Sequence, residues 1–128
     1  MAQELYEQGM LADSLGQTQK AIDLFRRVLA EPNVQEPFKT SAAFNLGCKL
    51  YEIDKEEAKK FWVTASKQGH PKATFYLGRM YEDENDVHAM ILFLRAYDLG
   101  SLDAASWLKD TFNTETAEEA RNMFRQQK

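Results

Sequence analysis

The chain has 128 residues, a length that suits one domain, and its 44% apolar content is enough to build a continuous core. Its net charge is −4, and its 16 lysines and arginines are scattered, so the sequence lacks the basic patch that nucleic-acid-binding proteins carry. The same charge disfavours binding to an anionic membrane, and no apolar run approaches the length of a membrane span.

A secretory signal peptide begins with a basic segment that leads into an apolar run. The first ten residues, MAQELYEQGM, do not have this pattern. The sequence has a single cysteine, Cys48, which excludes a disulfide within the chain and suits a reducing compartment. We therefore expect a cytoplasmic protein.

Glycines and prolines divide the chain into segments with helical periodicity, and no segment alternates apolar and polar residues as a half-buried strand does. A first helix is predicted from about Gln3 to Leu15, ending at Gly16. Thr18 is the expected N-cap of the second helix, which ends before Pro32. Its apolar residues have the spacing of an amphipathic helix: Ala21, Leu24, Phe25, Val28 and Leu29.

Residues 31–37, EPNVQEP, contain two prolines and are predicted to form a stiff connector. Helix three is expected to begin near Pro37, because proline is favoured in a first helical turn. Asp54 followed by Glu57 resembles a capping box, which predicts the start of helix four, and Gly69 supplies its end.

Helix five is predicted to begin at Pro71, and helix six near Asp86, which we expect to be its N-cap. Gly100 ends helix six, and Ser101 is the expected N-cap of helix seven. Thr116 opens a second capping box, T-x-x-E, in front of helix eight. Eight helices make four hairpins, predicted at about 2–32, 37–69, 71–100 and 102–128 of a single domain, 1–128.

The spacing of small and large residues repeats from hairpin to hairpin. Gly9, Gly47 and Gly78 lie inside first helices, where glycine costs about 1 kcal/mol relative to alanine, so each needs a packing reason. We expect each glycine to face an alanine across its hairpin, and a large aromatic residue one turn on to fill the space between hairpins. The alanines are Ala21, Ala58 and Ala89, and the aromatic residues are Phe25, Trp62, Phe93 and Phe124. Such hairpins must stack to bury a core, so the sequence predicts an all-α helical repeat.

Residues 65–81, ASKQGHPKATFYLGRMY, carry a resemblance to the Sel-one-like repeat, a subclass of the tetratricopeptide superfamily. They match the pattern AA-x-x-G-x-x-x-A-x-x-x-LG-x-x-Y with Ser66 at the second alanine. The first hairpin is more similar to an ordinary tetratricopeptide unit, and the resemblance covers nearly the whole chain. The last hairpin departs from it, with Lys109 at the glycine position and Phe112 at the tyrosine position. The resemblance implies a right-handed α-solenoid of about four stacked antiparallel helical hairpins.

The resemblance also implies a concave groove, lined by those first-helix residues that the repeat does not use for packing. The predicted partner-binding residues are Tyr6, Met10, Phe44, Cys48, Tyr51, Lys72, Phe75, Arg79 and Glu82. The aromatic residues among them are either secondary core or anchors for a partner. Because only Lys72 and Arg79 are basic, we do not expect the carboxylate clamp by which co-chaperones of the superfamily hold acidic peptide ends.

No catalytic residue, cofactor or metal site is predicted. His70 and His88 lack a second ligand at helical spacing, and no phosphate-binding loop or pair of nucleophile and base is visible. The sequence therefore favours a scaffold or adaptor that binds a peptide or helix of another protein, rather than an enzyme. Two alternatives remain open: a structural protein that forms a homodimer through the ends of the solenoid, and, with less support, a hydrolase.

Overall fold

The computed structural model describes residues 1–126, and within them the chain forms eight α-helices and no strand, as predicted. The helices are α1 (Ala2–Ser14), α2 (Thr18–Ala30), α3 (Phe38–Leu50), α4 (Lys55–Lys67), α5 (Pro71–Tyr81), α6 (Asp86–Asp98), α7 (Leu102–Phe112) and α8 (Ala117–Gln126). The last predicted hairpin, 102–128, therefore extends two residues beyond the described part. None of these helices is both long and apolar enough to cross a membrane.

The chain divides into two compact units, Met1–Gln68 and a second that begins at Gly69. In the first unit α1 pairs with α2, α3 pairs with α4, and α3 also packs against α2. The second unit repeats this plan, with α5 paired to α6, α7 paired to α8, and α7 packed against α6. The predicted fold class, an all-α repeat of helical hairpins, is confirmed, whereas the single-domain assignment stays a prediction.

Three glycines inside first helices make room for an aromatic ring of the second helix in the same hairpin. A Cβ atom added to Gly9 would lie 2.7 Å from Phe25 Cε1, one on Gly47 would lie 2.5 Å from Trp62 Cδ1, and one on Gly78 would lie 2.6 Å from Phe93 Cε1. These distances are too short for real carbon atoms, so the ring occupies the place of the missing side chain. Each ring thus packs against the glycine of its own hairpin, and Phe93 also contacts Trp107 of the next hairpin, at 3.9 Å between ring centroids.

Two further positions repeat in α3, α5 and α7. They lie five residues and one residue before the internal glycine, whose place in α7 is taken by Lys109. They hold an alanine and a leucine that are between 0% and 3% exposed: Ala42 and Leu46, Ala73 and Leu77, Ala104 and Leu108. In α1 the same positions hold Glu4 and Gln8, which are exposed. The first helix thus has a polar face where the later first helices have a buried apolar one.

Three of the predicted N-caps are confirmed. Asp54 Oδ1 accepts a hydrogen bond from the Glu57 amide at 3.2 Å, and Ser101 Oγ accepts one from the Ala104 amide at 3.0 Å. Thr116 Oγ1 accepts one from the amide three residues on, at 3.2 Å. These bonds satisfy amide groups that have no partner within the helix.

Two predicted caps were wrong by one residue. Thr18 is the first residue of α2, which follows Gln17 and has no side-chain cap. Asp86 is likewise the first residue of α6, and Asn85 is the cap, its Oδ1 accepting from the His88 amide at 3.0 Å. Asparagine is as good an N-cap as aspartate, so the helix can begin at either residue on local preference alone.

The predicted helix ends at glycine are confirmed. Gly69 follows α4 with φ +87°, and Gly100 follows α6 with φ +101°. This left-handed conformation is disfavoured for residues with a Cβ atom, and it turns the chain sharply enough to begin the next helix within two residues.

We predict that Gly78→Ala destabilises the protein by about 1–3 kcal/mol in urea unfolding, although alanine is the better helix former. The new methyl group would overlap the Phe93 ring, which cannot withdraw because its centroid lies 3.9 Å from that of Trp107.

A double-mutant cycle with Phe93→Leu provides the control. In that background the ring is gone, so Gly78→Ala should cost less or become stabilising, which would appear as a coupling free energy between the two sites. Equal costs of Gly78→Ala in both backgrounds would show that the glycine and the ring do not share this space.

We also predict that α8 has the least protected amides of the helices, because the last hairpin lacks the glycine and ring pair. Lys109 stands at the glycine position, and Phe124 at the ring position is half-buried. Hydrogen exchange measures this directly, since local opening exposes weakly packed helices first. Amides of α8 that exchange more slowly than those of α4 would contradict it.

Candidate partner-binding surfaces

In the first unit, α1 and α3 lie in direct contact and form one surface, which we call the α1–α3 surface. Asn45 connects the two helices, since its Nδ2 lies 3.1 Å from Tyr6 Oη and 3.4 Å from Met10 Sδ. A side-chain amide has two N–H groups, so one asparagine can donate to both acceptors. Two of the predicted site residues are thereby held together by a third that the sequence analysis missed.

An ion pair joins the same two helices near their C-terminal ends. Lys49 Nζ lies 2.7 Å from Asp13 Oδ1, and both side chains are about 30% exposed. A pair with this much solvent contact contributes at most about 1 kcal/mol to stability, so its main consequence is to fix the alignment of the two helices. Asn45 and Lys49 are one turn apart on α3, and this i, i+4 spacing of polar groups was the signal available in the sequence.

The other predicted residues of the first unit are half-buried. Tyr51 stacks on Trp62, with ring centroids 5.6 Å apart, and Lys55 Nζ lies 5.1 Å from the centre of the Tyr51 ring. The carbonyl oxygen of Phe44 accepts a hydrogen bond from Trp62 Nε1 at 3.2 Å. Tyr51, Phe44 and Cys48 are therefore only partly accessible to a partner.

In the second unit, three of the predicted residues lie on α5, and the fourth, Glu82, follows its last residue. Phe75 is half-buried, and its ring centroid lies 5.4 Å from that of Phe93. Lys72 and Arg79 are exposed on either side of it along the helix. They lie three residues before and four residues after Phe75, so the three side chains lie along one side of α5.

The positive charge of Arg79 is partly compensated by a carboxylate just after the end of α5. Its Nε lies 2.7 Å from Glu82 Oε1, and the two side chains are 57% and 33% exposed. The attraction in such an exposed pair is small, so an incoming carboxylate can compete with Glu82 for the guanidinium group. The predicted residues of α5 therefore offer one apolar ring between two cationic side chains.

A separate apolar edge lies where α1 turns into α2. Leu11 and Leu15, one turn apart, are 60% and 63% exposed. They border a cleft of about 120 Å³ that is lined by Gln8, Leu11, Ala12, Leu15, Gln17 and Lys20. Within residues 1–126, no three His, Cys, Asp or Glu side chains are placed to hold a metal ion.

No model of a known protein family matches the chain, and no curated protein matches it at a significant level. The resemblance to Sel-one-like repeats therefore depends on the residue pattern alone.

Proposed function

We propose that this protein is an interaction module of the tetratricopeptide type, similar to Sel-one-like repeats, that binds a segment of another protein. The observation that carries the proposal is the direct contact between first helices of consecutive hairpins, α1 with α3 and α5 with α7. Stacked helical repeats bind partners on the surface that their first helices form together. The chain acts as a scaffold or adaptor in this proposal, and not as an enzyme.

The chemistry of the predicted residues suggests what such a segment contains. In the second unit Phe75 presents part of an aromatic ring, which favours contact with apolar side chains. Lys72 and Arg79 favour at least one carboxylate near the apolar contact. The ligand is thus an extended or helical segment with apolar side chains and an acidic group.

The test uses variants of exposed residues, which leave the core intact. We predict that Lys72→Glu and Arg79→Glu, both in the second unit, each reduce capture of the partner found by affinity purification at least about tenfold. A reversed charge beside a carboxylate costs more than about 1.4 kcal/mol.

Lys60→Glu on α4 is the matched control, because Lys60 is exposed and lies outside the predicted surfaces. All three variants should keep the thermal unfolding curve of the parent. If Lys60→Glu loses the partner while the other two retain it, the partner binds the second helices and the proposal fails.

A second candidate, self-association through an end of the stack, is favoured by the exposed edge of Leu11 and Leu15. Two leucines side by side at a cleft are a surface that a second copy of the chain can cover, as in a two-fold symmetric dimer. In this case the protein is structural and not a receptor for a peptide.

We predict that, if the edge forms a dimer, light scattering of the parent shows a concentration-dependent dimer that Leu11→Asp and Leu15→Asp convert to a monomer. Ile53→Asp, a change at another exposed apolar residue of the first unit, is the control. A dimer that persists in both leucine variants excludes this edge as the interface.

A further inference from the structure

The N-terminus of α5 is capped by an imidazole nitrogen, whereas the caps of its neighbours are oxygen atoms. His70 Nδ1 accepts a hydrogen bond from the Ala73 amide at 3.1 Å. The caps of α4, α6 and α7 use the oxygen atoms of Asp54, Asn85 and Ser101 for the same bond. An imidazole nitrogen can accept this bond only when it carries no proton, so the cap requires neutral His70 with its proton on Nε2.

The surroundings of His70 oppose its protonation. Burial of the half-buried ring lowers its pKa from the ordinary value of 6.5, and the positive charge of Lys72 lowers the pKa further. The positive end of the α5 dipole acts in the same direction.

The backbone at this position is held independently of the ring. The His70 carbonyl accepts hydrogen bonds from the Thr74 amide at 3.1 Å and from Thr74 Oγ1 at 2.9 Å. Thr74 is fully buried, so these two bonds remain when the imidazole changes its charge. Loss of the cap is therefore confined to the first turn of α5 and does not require the helix to unfold.

We propose that His70 is a pH-sensitive cap, whose protonation breaks the bond to Ala73 and opens the first turn of α5, where the second unit begins. A proton on Nδ1 places an N–H donor opposite the Ala73 N–H, so the ring must rotate away and the amide becomes accessible to water.

The direction of the pH effect follows from the lowered pKa. The unfolded chain takes up the proton more readily than the folded chain, so the stabilisation by the cap is complete above pH 6.5. It is lost as the pH falls through the folded-state pKa of His70, which lies below that value.

The experiment compares single amides by hydrogen exchange, each corrected for its intrinsic rate, at neutral and at mildly acidic pH. We expect the protection of the Ala73 amide to fall about fivefold or more when His70 becomes protonated, the usual effect of losing an N-cap. The Ala104 amide, bound by the Ser101 hydroxyl in the same unit, is the internal reference and should not change. A proton NMR titration follows His70 directly, since His88 is the one other histidine.

Two variants separate the cap from its charge. His70→Asn retains an acceptor, as Asn85 does for α6, and should keep the Ala73 amide protected at both pH values. His70→Ala removes the acceptor and should leave that amide poorly protected at both. The proposal is overturned if Ala73 stays protected while His70 titrates, if His70→Asn shows the same acid response as the parent, or if Ala73 and Ala104 lose protection together.

Discussion

The close contact between a helix-internal glycine and an aromatic ring determines how each of the first three hairpins packs. Phe25, Trp62 and Phe93 are almost completely buried against Gly9, Gly47 and Gly78. Burying such a ring contributes about 1.5–3 kcal/mol, whereas a glycine inside a helix costs about 1 kcal/mol. The contact is therefore favourable on balance, and it fixes which turn of the first helix lies opposite which turn of the second.

The aromatic residues of the candidate surfaces depend on the same rings. Tyr6 packs 5.9 Å from Phe25, Tyr51 stacks 5.6 Å from Trp62, and Phe75 lies 5.4 Å from Phe93, measured between ring centroids. Each of these three side chains thus has one side against the core and another toward solvent. For the proposed function, side chains held in this way need little reordering, which lowers the entropic cost of binding a partner.

The first and last hairpins depart from the pattern that the two middle hairpins share. At the start, Glu4 and Gln8 stand where later first helices have a buried alanine and leucine. At the other end, Lys109 replaces the glycine, and Phe124 is half-buried. The first hairpin thus has a polar face where the later ones have a buried apolar one, and the last hairpin lacks the pair of glycine and ring.

The sequence by itself determined the number of helices, their order and most of their ends. Glycines, prolines and capping residues start or end a helix through contacts with the few residues next to them in the chain. It also showed that Gly9, Gly47 and Gly78 need a packing reason. Only the tertiary structure showed that an aromatic ring occupies the space beside each of these glycines.

Tertiary structure also decided that Asn45 joins Tyr6 to Met10, and that Tyr51 and Phe75 are partly core. It placed the caps of α2 and α6 one residue earlier than predicted and revealed the imidazole cap of α5. The contacts of Asn45, Tyr51 and Phe75 join residues 11 to 39 positions apart, so local patterns do not specify the partners.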